Sequence, residues 1–189
     1  MTASDSGKAF LRRQLKSRRD GLDEEYCRRS DAEIRNRLQA LPAFQQAGCV
    51  FCYVSTGKEP DTRALLAQML KEGKTVSVPR CREAGIMEAV QIGGLEQLRP
   101  GRFGIWEPGE GLPAIEPESI ELAVIPCLSG WTDGTRLGYG GGYYDRFLPR
   151  CGGLRVMLCR ERMLWEAIPR ESHDCRMDVL VTEQRLIFC

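Results

Sequence analysis

The sequence predicts an α/β fold, a mostly parallel sheet with an N-terminal helical pair. Three observations predict it. Residues 49–78 read as strand, helix, strand, the unit that builds parallel pairs with a right-handed crossover. Three further short apolar runs, 122–125, 154–159 and 179–182, read as buried strands, the first ending at Pro126. The first 42 residues instead carry helical spacing and helix-capping signals.

The elements follow in order. Gly7 to Asp20 places Leu11 and Leu15 four apart among basic residues, and Gly21 ends that helix. Asp23 is suited to cap a second helix, with Glu24 and Glu25 favourable in its first turn. Tyr26, Ile34, Leu38 and Leu41 mark its apolar side, and Pro42 ends it. Cys49–Val54 is a strand and Ser55–Asp61 a loop. Asp61 is expected to cap a helix with Leu65, Leu66, Met69 and Leu70 inward, closed by Gly73. Thr75–Val78 is a strand ended by Pro79, and Met87–Ile92 a short strand. Arg99–Pro117 is rich in Gly and Pro and is expected to be an ordered loop. A Gly-rich stretch, Ser129–Tyr144, leads into a helix at Tyr143–Leu148, and Leu186–Phe188 reads as an edge strand. No repeat or linker interrupts this, so residues 1–189 are expected to form one domain, 1–42 packing on the α/β body.

Composition excludes several classes. With 27 Lys+Arg against 26 Asp+Glu, the net charge of +1 argues against a strongly basic nucleic-acid binder. No apolar run approaches the roughly 18 residues of a membrane span. The nine cysteines are irregularly spaced and follow a start without an apolar leader core, so reduced thiols in the cytoplasm are expected. Arg and Ser enrichment before Asp20 leaves a mitochondrial location as the alternative. Cys49 and Cys52 form a C-x-x-C, but inside a strand it reads as packing rather than redox or zinc chemistry.

Four segments carry candidate chemistry. Gly138, Gly140, Gly141 and Gly142 let backbone N–H groups face one concavity, which suits phosphate or, equally, a tight connection. Arg136 could add a bidentate phosphate contact, and Asp145 could hold a Mg²⁺ brought by a nucleotide. Neither a P-loop nor the dinucleotide fingerprint is complete here. Lys8 and Arg12, four apart on a helix, share one face that could grip polyphosphate. Glu171-Ser-His-Asp174 holds the single histidine, but no G-x-S-x-G elbow accompanies it. Glu59 follows a strand end, where ligands gather in parallel sheets.

In combination these segments resemble the 5-formyltetrahydrofolate cyclo-ligase family. The carriers are Lys8-Ala-Phe-Leu-Arg12, Glu59-Pro-Asp-Thr62, Arg136-Leu-Gly-Tyr-Gly-Gly-Gly-Tyr-Tyr-Asp145 and Glu171-Ser-His-Asp174. The third is the most specific. Lys74 and Gly104-Ile-Trp-Glu-Pro108 look like further landmarks. The resemblance implies a three-layer α/β sandwich. It implies ATP contacts at Lys8, Ala9, Phe10, Leu11 and Arg12 and along Arg136, Leu137, Gly138, Tyr139, Gly140, Gly141, Gly142, Tyr143 and Tyr144. It implies Mg²⁺ at Asp145 and Asp174, and folate at Val54, Glu59, Tyr139, Gly140, Gly141, Gly142 and Tyr143. Arg136, Tyr143 and Asp145 would be the catalytic set. Some relatives carry a lysine where this chain has Gly141, so the phosphate charge falls here to Arg136, Lys8, Arg12 and the metal.

The implied reaction joins 5-formyltetrahydrofolate and MgATP to give 5,10-methenyltetrahydrofolate, ADP and phosphate, through a phosphorylated formyl oxygen. Such a reaction requires alignment and charge neutralisation, not an enzyme nucleophile. The implied partners are therefore the folate and ATP, acting on a monomer, with no nucleic acid and no membrane. Two other classes remain to be distinguished: a module that binds folate or nucleotide without turnover, and a nucleic-acid binder using the basic first helix.

Overall fold

A computed structural model describes residues 3–101 and 104–189, with the side chains of residues 3–6 excluded. The chain opens with α1 (Ala3–Asp20) and α2 (Glu24–Ala40). The Asp23 carboxylate accepts from Tyr26 N and caps α2 as expected. Pro42 ends α2 but also occupies the first turn of a short α3 (Pro42–Gln46), a position where its missing N–H costs nothing. Lys74 Nζ then donates to the carbonyls of Phe44, Gln45 and Ala47, satisfying the end of α3.

The strands are β1 (Cys49–Cys52), β2 (Thr75–Cys81), β3 (Met87–Ile92), β4 (Leu98–Pro100), β5 (Trp106–Pro108), β6 (Ala114–Ile115) and β7 (Leu122–Pro126). They continue with β8 (Ser129–Gly130), β9 (Arg136–Leu137), β10 (Leu154–Leu158), β11 (Val179–Val181) and β12 (Leu186–Phe188). Helix α4 (Arg63–Lys71) joins β1 to β2, and α5 (Tyr143–Phe147) follows the glycine loop. Eight strands form one sheet in the order β12-β11-β10-β7-β1-β2-β3-β6. The five central strands run parallel, and β12, β3 and β6 pair antiparallel at the edges.

Three local expectations need correction. Strand β2 runs through Pro79, because its pairing with β1 ends at Ser77 and only β3 is hydrogen-bonded beyond. Thr62, not Asp61, is the N-cap residue of α4; the Thr62 hydroxyl donates to Tyr53 O, and the Asp61 carboxylate accepts from Arg63 N. The 99–117 stretch is not all loop, since β5 pairs with β4 and β6 with β3.

The sheet has a packed core on each face. Val50, Cys52, Leu122, Val124, Val156 and Leu158 point one way, against Ile34, Leu38, Leu65 and Leu66. Phe51, Ala123, Ile125 and Met157 point the other way, against Leu11, Leu15 and Phe147. This is period-two alternation between two helical layers. It also separates Cys49 from Cys52: three residues apart on one strand, they lie on opposite faces and cannot approach each other. No helix among the described residues is long and apolar enough to cross a membrane.

Candidate functional site

Chain order reverses across the sheet between β1 and β7, since β2 lies on one side and β10 on the other. Ligands in open α/β sheets bind outside the carboxyl ends of strands at such a switch point. A cleft of about 860 Å³ opens there. Its walls come from α1, the loop after β1, the glycine loop after β9, and the 171–174 turn.

One face of α1 supplies cations. Lys8, Arg12, Lys16 and Arg19 all line the cleft, at spacings of about one helical turn. Lys8 is nearly buried and donates to Glu171 Oε2 at 2.7 Å and to Asp174 Oδ2 at 2.7 Å. Burial alone would pull the Lys8 pKa down, but the hydrogen bonds to Asp174 and Glu171 outweigh it and raise it. The same pairing outweighs burial at Asp174 and lowers that carboxyl below its ordinary range. Arg12 Nε donates to Gly138 O at 3.0 Å, tying α1 to the glycine loop.

The loop needs its glycines at particular points. Gly140 has φ +105°, where an L side chain is strained, and an added Cβ would lie 3.5 Å from Arg12 Cζ. Helix α5 is only five residues long, so the loop's backbone matters more than a helix dipole. Arg136 lies beneath the loop with its side chain 4% exposed. It donates to Asp145 Oδ1 at 3.0 Å and Pro126 O at 3.3 Å, and stacks over the Tyr144 ring. Its Nε is buried with no hydrogen-bond partner. Such an atom costs free energy until a ligand accepts from it.

On the β1 side, Glu59 is 9% exposed. Its Oε2 accepts from Thr56 N at 2.8 Å and from Thr56 Oγ1 at 3.2 Å. Burial raises its pKa; the Tyr139 hydroxyl and Thr56 only partly restrain that rise. Arg19 reaches the Tyr139 hydroxyl at 3.5 Å and stacks over its ring.

The structure therefore brings together Lys8, Arg12, Val54, Glu59, Asp145, Asp174 and every expected residue from Arg136 to Tyr144. Ala9, Phe10 and Leu11 do not line the cleft: Ala9 and Phe10 face solvent, and Leu11 packs in the core. One helix turn cannot point five consecutive side chains the same way. Asp145 and Asp174 both line the cleft, each already paired with a cation. Asp174 also groups with Glu171 and His173, whose ligand atoms lie within 4.8 Å of one another. His173 itself is 70% exposed. The Tyr143 hydroxyl donates to Arg82 O at 3.3 Å. Trp106, within the Gly104-Ile-Trp-Glu-Pro108 landmark, does not line the cleft and carries Arg63 over its ring. Sequence reasoning misses Arg19, Lys16 and Arg146 as cleft residues. The first two extend the Lys8–Arg12 spacing and are findable by it.

Known proteins resemble this chain over nearly its whole length. A model of the 5-formyltetrahydrofolate cyclo-ligase family matches residues 4–183. A 5-formyltetrahydrofolate cyclo-ligase of Mycolicibacterium smegmatis is 33% identical, covering 96% of each chain. The mouse protein of that name is 28% identical, covering 95% of each. The NMR structure of the Aquifex aeolicus 5,10-methenyltetrahydrofolate synthetase superposes with a TM-score of 0.86 at 34% identity, covering 96% of this chain and 92% of that one.

Proposed function

The chain belongs to the 5-formyltetrahydrofolate cyclo-ligase family and is a ligase of folate metabolism, and on that premise we propose that it is ATP- and Mg²⁺-dependent and acts through a phosphorylated formyl oxygen. The products are 5,10-methenyltetrahydrofolate, ADP and phosphate.

The observation that carries the ATP reading is Arg136. A nearly fully buried guanidinium with an unpartnered Nε, under four glycines and beside Lys8 and Arg12, fits a polyphosphate acceptor. Asp145 and Asp174 fit Mg²⁺ in its usual role, where one or two carboxylates act together with substrate phosphates. When bound there, the ion neutralises phosphate charge. Lys8, Arg12 and Arg136 hold and orient the triphosphate. Glu59, in hydrogen-bond range of Thr56 and next to Tyr139, orients the pterin by accepting from its N–H groups. Val54 and the Tyr139–Tyr143 backbone shape the rest of the folate site.

A formamide oxygen is a poor leaving group. Transfer of the γ-phosphoryl to that oxygen makes it a good one. The folate N10 then attacks the formyl carbon within the same molecule, phosphate departs and the ring closes. Alignment in the cleft supplies most of the acceleration, with Arg136 stabilising the transferring group and Tyr143 fixing the ring.

We place the activity in a single-domain monomer, in the cytoplasm, with the mitochondrion as the alternative. Purified protein given 5-formyltetrahydrofolate and MgATP is expected to gain methenyl absorbance and release ADP together. Folded protein that binds both and forms neither product would instead be a binding module.

A further inference from the structure

Behind the folate wall lies a side chain that the reaction does not use. Arg160 follows β10 and is 2% exposed. A guanidinium has five N–H groups, and here all three of its nitrogens are engaged, in four hydrogen bonds and one ion pair. Nε donates to Lys58 O at 3.1 Å. One terminal nitrogen donates to Cys27 O at 3.0 Å and to Ser30 Oγ. The other donates to Glu59 O at 3.0 Å and lies 2.8 Å from Asp31 Oδ1. Asp31 Oδ1 also accepts from Asp61 N at 3.0 Å. One cation thus joins α2 to the Lys58 and Glu59 carbonyls of the loop, and its partner Asp31 holds the Asp61 amide of the same loop. Lys58 Nζ adds a tie from that loop to Asp20 O at 2.7 Å.

The packing leaves no slack. Between Arg160, Glu59, Tyr139 and Met163 there is a void of only about 10 Å³, no larger than one water needs. The backbone of Glu59 is held from behind while its carboxylate is held in front by Thr56. A planar fork with five donors in fixed directions holds the two loop carbonyls, the α2 carbonyl, Ser30 and Asp31 together; an ammonium has only three donors and lacks the fork's spread.

We infer that Arg160 is a positioning residue for folate: it sets the Glu59 loop, and so the pterin contact, without touching substrate. This rests on the reading of Glu59 as a folate contact. Arg160 therefore governs the folate KM and not the ATP KM, because no hydrogen bond of its guanidinium reaches the glycine loop or α1.

Arg160→Lys keeps a charge beside Asp31 and is the variant to test. Its folate KM is expected to rise on the order of tenfold or more, as a small misplacement at a reacting geometry does. Its ATP KM should stay within about twofold, and Arg160→Lys should add nothing further in a Glu59→Gln background. Hydrogen exchange of the 55–61 amides should quicken in parallel. Val179→Ala, a core truncation in β11 outside the cleft lining, serves as the control that lowers stability without changing either KM. If Glu59→Gln raises the folate KM and Arg160→Lys does not, positioning is overturned while the Glu59 reading stands. If Glu59→Gln leaves the folate KM unchanged, the Glu59 reading fails and takes the inference with it. Unchanged exchange in the 55–61 loop overturns the inference whatever Glu59 does.

Discussion

The Glu59 loop, which floors the cleft, is braced from behind by one buried arginine, the rim holds another, and the two are opposites. Arg160, behind the floor, has a partner at each of its three nitrogens. Arg136, in the rim, is almost as deeply buried but leaves its Nε unpartnered. A fully satisfied buried cation is a strut: the free energy of its burial is already offset inside the protein. An under-satisfied one holds capacity in reserve for an anion that is not part of the chain. Burial alone would rank the two residues together; counting donors separates a residue that shapes the site from one that meets the ligand.

The largest effect that sharpens this contrast is on stability. Arg160→Met strands Asp31 and several loop and α2 carbonyls together, and should cost about 3–5 kcal/mol. Denaturant unfolding reads that directly. Arg136→Gln should do the reverse. Its turnover is expected to drop about 10²- to 10³-fold, as for loss of a preorganised charge donor, while the melting temperature moves by only a few degrees. If Arg136→Gln unfolds the protein and Arg160→Met leaves it intact, the contrast is broken.

The two loops differ in the same way at their glycines. Gly57, in the floor loop, has φ +55° with nothing within 4 Å of an added Cβ, whereas Gly140 has φ +105° with Arg12 at 3.5 Å. Gly57→Ala should cost about 1–2 kcal/mol, the penalty of a left-handed residue, and leave the ATP KM alone. Gly140→Ala forces the exposed rim loop to relax, so its ATP KM should rise roughly tenfold, as small misplacements do. Equal effects of the two substitutions on the ATP KM would erase the distinction between floor and rim.

The rim is legible in the amino-acid sequence and the floor is not. Apolar periodicity places α1, α2, α4 and the five parallel strands, because each buries an apolar face that leaves a spacing in the sequence. Gly138, Gly140, Gly141 and Gly142 with Arg136 and Asp145 flag the rim, because backbone crowding leaves a compositional trace. The floor leaves none. Arg160 stands 101 residues from Glu59 and 133 from Cys27, and in the sequence it reads as one more surface arginine just past the end of an apolar run. Its partners are mainly backbone carbonyls, which every residue has. Strand β6 and the β4–β5 pair are hidden for a related reason: they are two or three residues long and bear no apolar alternation of their own.

The smallest effect concerns the group that joins floor to rim. Burial raises the Glu59 pKa, so the folded protein holds that proton more tightly than the unfolded chain does. The contribution of Glu59 to stability is therefore fully present below the unfolded value of 4.5 and is lost as pH rises through the folded pKa. Above that, an ionised Glu59 is a liability the fold tolerates for its contact with ligand. Glu59→Gln removes the charge and keeps the acceptor for Thr56, and the Tyr139 hydroxyl can turn to accept from the new amide. The variant should thus melt about 2 °C higher than the parent at pH 8, a shift of the size that a fraction of a kcal/mol gives a chain this long. The gain should vanish near pH 4. Thermal melts across that range measure it. A gain at pH 4 that disappears at pH 8 would mean that the Thr56 and Tyr139 hydrogen bonds outweigh burial, and that Glu59 is held in place as a satisfied anion, like the cation behind it.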